Sequence, residues 1–217
     1  MKTILKILIA IFVLSNSVIG MVNAQEVKIK NKEYKKSVKK KSKEFKKKGY
    51  TPKGSGTVEL YVTTAMNKEF ERNENGEQTT FVVYTSKVDP TFDGAVTACR
   101  ASARATIAGN IETRVAELVK RNLNSDQISM KHANGINQTI IAGKQLIAQN
   151  VSIEDIYVMY REVKDEMDGK TLIEVEYACA YNHKLALQKA QEYIRKELKQ
   201  ETEELHKDLD KLFKLKE

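Results

Sequence analysis

The residues of this chain that could do chemistry are few: Cys99 and Cys179, His132, His183 and His206, the arginines Arg100, Arg104 and Arg114, and a dense run of lysines. The three histidines fall on separate segments with no i, i+4 pairing, so they do not form a metal-ligand set. Cys99 adjoins Arg100, which could lower its pKa, but no histidine near it in sequence is placed to act as a base. The two cysteines leave two readings open: a disulfide, or two small buried hydrophobes. The arginines could line an anion site; they could equally pair with carboxylates or lie along the surface with their stems packed. Asp165-Glu166-Met167-Asp168-Gly169 lacks the ligand ladder of a calcium loop and reads as a solvated hairpin tip. There is no G-x-S-x-G elbow, phosphate-cradling glycine loop or H-E-x-x-H. No catalytic, cofactor-binding or metal-binding residue is assigned, and the expectation is a protein that is not an enzyme.

Residues 35–50, KKSVKKKSKEFKKKGY, hold nine lysines and no arginine. Lys35, Lys36, Lys39, Lys40, Lys43, Lys46 and Lys47 form a candidate anion-binding surface. Tyr34, Val38 and Phe45 stand at i, i+4 and i+11 with Ser42 filling the missing step, which places one narrow apolar seam on a helix. The end of that helix is marked as well. Three lysines suit the negative end of its dipole, Gly49 suits a left-handed cap, Tyr50 can fold back as the accompanying hydrophobic contact, and Pro52 prevents continuation. The spacing predicts a capped amphipathic helix over 31–48 and a connector over 53–56. Three readings of its lysines compete: contact with an anionic polymer or membrane surface, nucleic-acid binding, and simple solubility on the wet side of a docked helix. The missing arginines argue against nucleic acid, whose specific contacts rely on the guanidinium fork. The narrow seam argues against an interfacial membrane helix.

The elements that must position these residues follow from charge and periodicity. The formal net charge is +8, yet residues 25–53 carry 13 Lys against three Glu while residues 54–217 are mildly acidic. Residues 1–24 read as a removed secretory signal: Lys2 and Lys6, an apolar run too short to span a membrane, and Val22-Asn23-Ala24 as the cleavage site. The mature chain is then expected to start at Gln25, exported to the periplasm or beyond, with a lysine-rich helix and connector to residue 56 and a single domain over 57–217. An exported chain sits where a disulfide is permitted. Residues 57–71 fit a strand or a helix. Thr79 to Val88 alternates as a strand, and Asn75-Gly76 marks the turn before it. From 92 to 122 the pattern is helical, with Ala95, Cys99, Ala103, Ile107, Ile111, Val115 and Val119 at steps of four. Such a stripe rotates about 40° per step, so the helix should meet one partner early and another late. The small residues of its first half suggest a place between the sheet and another helix. Ser125 is a plausible N-cap for a helix to about Gln149, with Ile128, Ile136, Ile140 and Ile147 on one face. Strands at 153–164 and 171–181 follow, and a final helix runs from Asn182 almost to the end. The fold class is α+β: a small antiparallel sheet of about three strands packed against long helices.

The run ARATIAGNIETRV, 103–115, resembles the twenty-kilodalton-lipoprotein-like family of secreted and lipid-anchored bacterial envelope proteins, which also includes a flagellar assembly module. The likeness spans 79–198, through Ala101, Ala103, Arg104, Ile107, Ala108, Ile111 and Val115 and the strands at 156–160 and 175–181. The resemblance implies a lysine-rich leading helix ending in Gly-aromatic, as Gly49-Tyr50 does, and a helix at 57–70. It brings no catalytic residues, and the lipobox cysteine of anchored relatives is missing here. The expected function is therefore an exported, non-catalytic cell-envelope protein acting by binding or assembly on an unknown envelope partner. The alternative is an anionic-surface or wall-polymer binder acting through helix 31–48, with no cofactor, no nucleic acid and no transmembrane segment after signal removal.

Overall fold

Gly49 stops the first helix, as its position after three lysines predicts. The structure is a computed structural model and describes residues 24–125, 127–198 and 203–213, with side chains from Glu33 onward. Helix α1, Ala24–Lys47, begins earlier than the seam indicated. At its end Gly49 adopts φ 80°. Its N–H donates to the Lys46 carbonyl at 3.1 Å and that of Tyr50 to the Phe45 carbonyl at 3.0 Å. This is the two-bond glycine stop known as a Schellman motif, and the Phe45 and Tyr50 rings, 5.3 Å apart, supply its hydrophobic contact. Gly49→Ala is expected to cost about 1 kcal/mol, read as a fall in the urea midpoint, because only glycine takes that φ freely. An unchanged midpoint would contradict the motif's role.

The chain then forms β1, Thr51–Pro52, and after a connector α2, Val58–Phe70. Thr57 caps α2 by accepting from the Leu60 N–H at 3.1 Å, and the ambiguous stretch is thereby a helix. Strand β2, Thr80–Asp89, leads into α3, Phe92–Asn124, then α4, Met130–Asn150. Strands β3, Ile153–Lys164, and β4, Thr171–Asn182, precede α5, His183–Glu197, and α6, Glu203–Phe213. Among the described residues the sheet has four antiparallel strands in the order β1-β3-β4-β2, not three. The two-residue β1 is the addition, and its Pro52 sits on an edge, where a missing N–H costs nothing.

The chain divides into two compact units, Met1–Lys39 and Lys40–Glu217, with the division inside α1. In the first unit Val38 is buried and Tyr34 half-buried. In the second, each sheet face carries its own apolar layer. Val175, Tyr177, Cys179 and Tyr181 pack beneath α3 in one cluster with α4, α5 and α6. The stripe on α3 is buried throughout, from Ala95 to Val119. Its first half lies on the sheet, where the Thr85 hydroxyl donates to the Cys99 carbonyl at 3.1 Å. Ala101 and Ala105 face solvent, so the expected second helix does not cover that half on its outer side. From Arg104 onward the helix runs beside α4: Lys144 pairs with Glu112 at 2.5 Å.

Two helix boundaries differ from expectation. The N-cap of α4 is Ser129, accepting from His132 N–H at 3.2 Å, while the Ser125 hydroxyl donates back to the Arg121 and Asn122 carbonyls of α3. Ile128, just ahead of that cap, is buried like a hydrophobic staple. The terminal helix is two helices: α5 ends at Glu197, and α6 places Asp210 beside Gln191 and Arg195 of α5. At Gly143 of α4 an added Cβ would lie 1.9 Å from the Tyr193 ring of α5, so the glycine is the seat of that ring.

The opposite face of the sheet matters for the lysines. A register shift between Asp155 and Tyr157 inverts the parity of β3. Before it Ile153 belongs to the α3 side; after it Val158 and Tyr160 do. Tyr157, Met159 and Arg161 are thereby turned to the other face, under α2 and the end of α1.

Candidate functional site

Residues 40–48 bring six lysines against Glu44 alone to the last turns of α1, all in the second unit. Lys40, Lys43, Lys46 and Lys47 are exposed there, as Lys35, Lys36 and Lys39 are in the first unit. Among the described residues one ion pair touches the 40–48 stretch, Lys48 with Glu44 at 3.1 Å. The seam predicted from spacing is dry: Ser42 is 3% exposed and Phe45 7%.

Several contacts fix this short piece of helix to the sheet. The Phe45 ring meets the edge of Tyr157 at 6.2 Å and 77°, an aromatic pairing of about 1 kcal/mol. Lys41, missing from the candidate surface, points inward. Its Nζ lies 3.8 Å from the centre of the Tyr84 ring. Burial pushes the Lys41 pKa down, against the pull of Glu69, Glu176 and Glu44. Tyr84 in turn donates to Glu69 Oε2 at 3.2 Å, and burial raises its hydroxyl pKa. Burial also raises the Glu176 carboxyl pKa, with a hydrogen bond from Ser86 opposing. Arg161 closes the far end: Nε pairs with Glu174 at 2.5 Å, and Nη1 donates to the Lys48 carbonyl at 3.1 Å. That carbonyl is one of the orphan acceptors at a helix C-terminus, where a cation is also favoured by the helix dipole. The guanidinium stands 5.1 Å from the Tyr50 ring.

The other candidates are structural. Cys99 and Cys179 are both free and buried, which corrects the disulfide reading. The Cys99 sulfur lies 3.5 Å from the Val175 carbonyl. Cys179 stands four residues beyond Val175 on the same strand, and the two thiols are not bonded to each other. Burial raises both thiol pKa values, so neither is an activated nucleophile. Arg100 pairs with Asp155 at 2.5 Å, and Asp155 also accepts from the Tyr177 hydroxyl. Arg104 donates to the carbonyls of Ala148 and Val151 and so caps the end of α4. Arg114 pairs with Glu117 at 3.0 Å. The three arginines do not converge on an anion site. The hairpin tip is solvated: Met167 is 96% exposed, and the Asp165 and Asp168 side chains accept backbone N–H groups. No group of three or more metal-ligating side chains occurs among the described residues.

Two features were missed from sequence. His132 Nδ1 lies 2.7 Å from Asp208 Oδ2, joining α4 to α6, and Lys211 Nζ approaches the same carboxylate at 3.2 Å. Burial pushes the Asp208 carboxyl up, but the hydrogen bonds from His132 and Lys211 outweigh it and hold it low. The signal was present: Asp208 interrupts a leucine seam, and a carboxylate in a seam calls for a partner. The tyrosine layer of Tyr50, Tyr84 and Tyr157 was the second; the β3 bulge inverts the alternation and so hid the facing of Tyr157.

Comparison with known proteins gives no match: no family model, no curated protein and no solved structure is significantly similar to this chain. No helix among the described residues is long and apolar enough to cross a membrane.

Proposed function

We propose that this chain is an exported cell-envelope protein that acts by binding, without catalysis of its own, and that the lysine face at the end of α1 makes the contact. The export half of the reading is supported by the signal-like residues 1–24, which lie almost wholly outside the described residues. The envelope half rests on the resemblance to the lipoprotein-like family read from the sequence of 79–198 alone. The observation that carries the binding surface is the division of labour within residues 40–48. Phe45, Ser42 and Lys41 face the body, while Lys40, Lys43, Lys46 and Lys47 face solvent without a carboxylate partner among the described residues. A helix held in this way presents its charges at fixed places, which lowers the ordering cost of a contact.

The test has two arms. N-terminal sequencing of the protein from its native host should find Gln25 as the first residue in a fraction outside the cytoplasm; a full-length cytoplasmic chain overturns export. Binding to the host's own envelope preparation should fall with salt, and by about tenfold or more when Lys40, Lys43, Lys46 and Lys47 are all changed to Gln. Binding indifferent to both salt and the substitutions removes the lysine face from the proposal.

A further inference from the structure

We infer that the partner of the lysine face is a hydrated linear polyanion, a polymer with a phosphate or carboxylate on each repeat, lying along the axis of α1. This rests on the preceding reading that the face binds, and it names the partner class. Three observations point to a polymer in preference to a bilayer.

The apolar side of the helix is occupied. Phe45 and Tyr50 are 7% and 6% exposed, packed on one another and, for Phe45, on Tyr157. An interfacial helix gains its affinity by burying such side chains among acyl chains, and here they belong to the body. The glycine stop and the Arg161 contact with the Lys48 carbonyl hold the end of the helix, so it is not free to roll them outward.

The exposed charges form a row. Lys40, Lys43 and Lys47 stand at i, i+3 and i+7, within about 60° of one another around the helix and about 4.5 and 6 Å apart along it. All three are exposed. A chain whose anionic groups recur at that interval can pair with successive lysines while staying extended. Lysine suits this mode, since a point charge on a flexible stem tolerates any orientation of the anion, whereas an arginine fork demands one.

The face also lacks what single-stranded nucleic acid uses. Tyr50, Tyr84 and Tyr157 all lie on the inner side or in the sheet layer, and none is exposed as a stacking platform for bases.

The experiment measures binding of the chain, purified from its host, to inorganic polyphosphate, to polygalacturonate, to phosphatidylglycerol vesicles and to a single-stranded oligonucleotide, all at equal anionic charge. The expected result is binding to at least one of the two polymers that is tighter than to the vesicles or the oligonucleotide. It should weaken roughly 20-fold between 50 and 200 mM salt for three charges neutralised. The triple change Lys40→Gln, Lys43→Gln and Lys47→Gln should abolish most of it, while Lys120→Gln, an exposed lysine on α3, leaves it unchanged. Tighter binding to vesicles or to the oligonucleotide, lost in the triple variant, overturns the polymer and leaves the lysine face standing. Binding to none of the four, or binding that survives the triple change, overturns both.

Discussion

Lowering the pH from about 6.5 to 4 is expected to cost the fold about 2 kcal/mol through His183 alone, and His183→Phe to remove that share of the acid sensitivity. The His183 pKa is lowered to about 4 by burial first and then by Arg114, with Glu117 opposing. The ring lies 4.5 Å from Phe81 and 6.1 Å from Tyr181. Its Nδ1 finds no hydrogen-bond partner among the described residues. As the residue after the Asn182 cap, it also stands at the positive end of α5, where an imidazolium is disfavoured. In the unfolded chain the imidazole takes a proton below its ordinary pKa near 6.5, and in the folded chain it does so only near 4. Between those values the unfolded state binds more protons, so stability falls as the pH falls and levels off below the folded pKa. Urea unfolding of both proteins at intervals from pH 7 to 4 reads this directly. Parallel curves for wild type and variant would mean that the ring protonates without resistance, and the burial argument would fail.

The second large effect is expected in the α3 stripe. Ile107→Ala should destabilise by about 3–4 kcal/mol, since the side chain is fully buried and its removal leaves a cavity that close-packed neighbours fill only in part. For a chain of this size that is a fall of roughly 10 °C in Tm. Ala105→Ser, two residues away on the exposed side, should change stability by no more than about 0.5 kcal/mol. Paired thermal scans make the comparison. Similar losses at both positions would show that helix propensity, and not the buried stripe, sets the stability of α3.

Why the stripe was legible and the chain's end was not has a physical reason. Steps of four over more than six turns leave a single helical solution, and the same holds for a glycine stop with a cap, a staple-like contact and a proline behind it. The split between α5 and α6 was concealed because Leu198 and Leu205 keep a seven-residue interval across it. The carboxylate of Asp208 in α6 reaches His132 of α4, a distant contact that no local period announces. Residues 58–70 carry both periods, and a stretch of 13 residues is too short for either to win on pattern. The two serines near 125–129 are equivalent as caps; burial of Ile128 selects the second. In the candidate site the outward lysines were readable from the seam. The inward Lys41 was not, because its partners Tyr84, Glu69 and Glu176 come from other elements.

The rotating stripe gives α3 a different tolerance for length than the rest of the chain. One residue inserted between Ile107 and Ile111 would turn every later position by about 100°, carrying Val115 and Val119 out of the core and Glu112 away from Lys144. A like insertion at the β3–β4 tip, where Gly169 has φ 69° and Met167 stands in water, displaces nothing buried. Lineages of this protein should therefore vary in size at 165–169 and keep the count of residues between Ala95 and Val119 fixed. Gaps in related chains, when sorted by position, would read out the core as a ruler does.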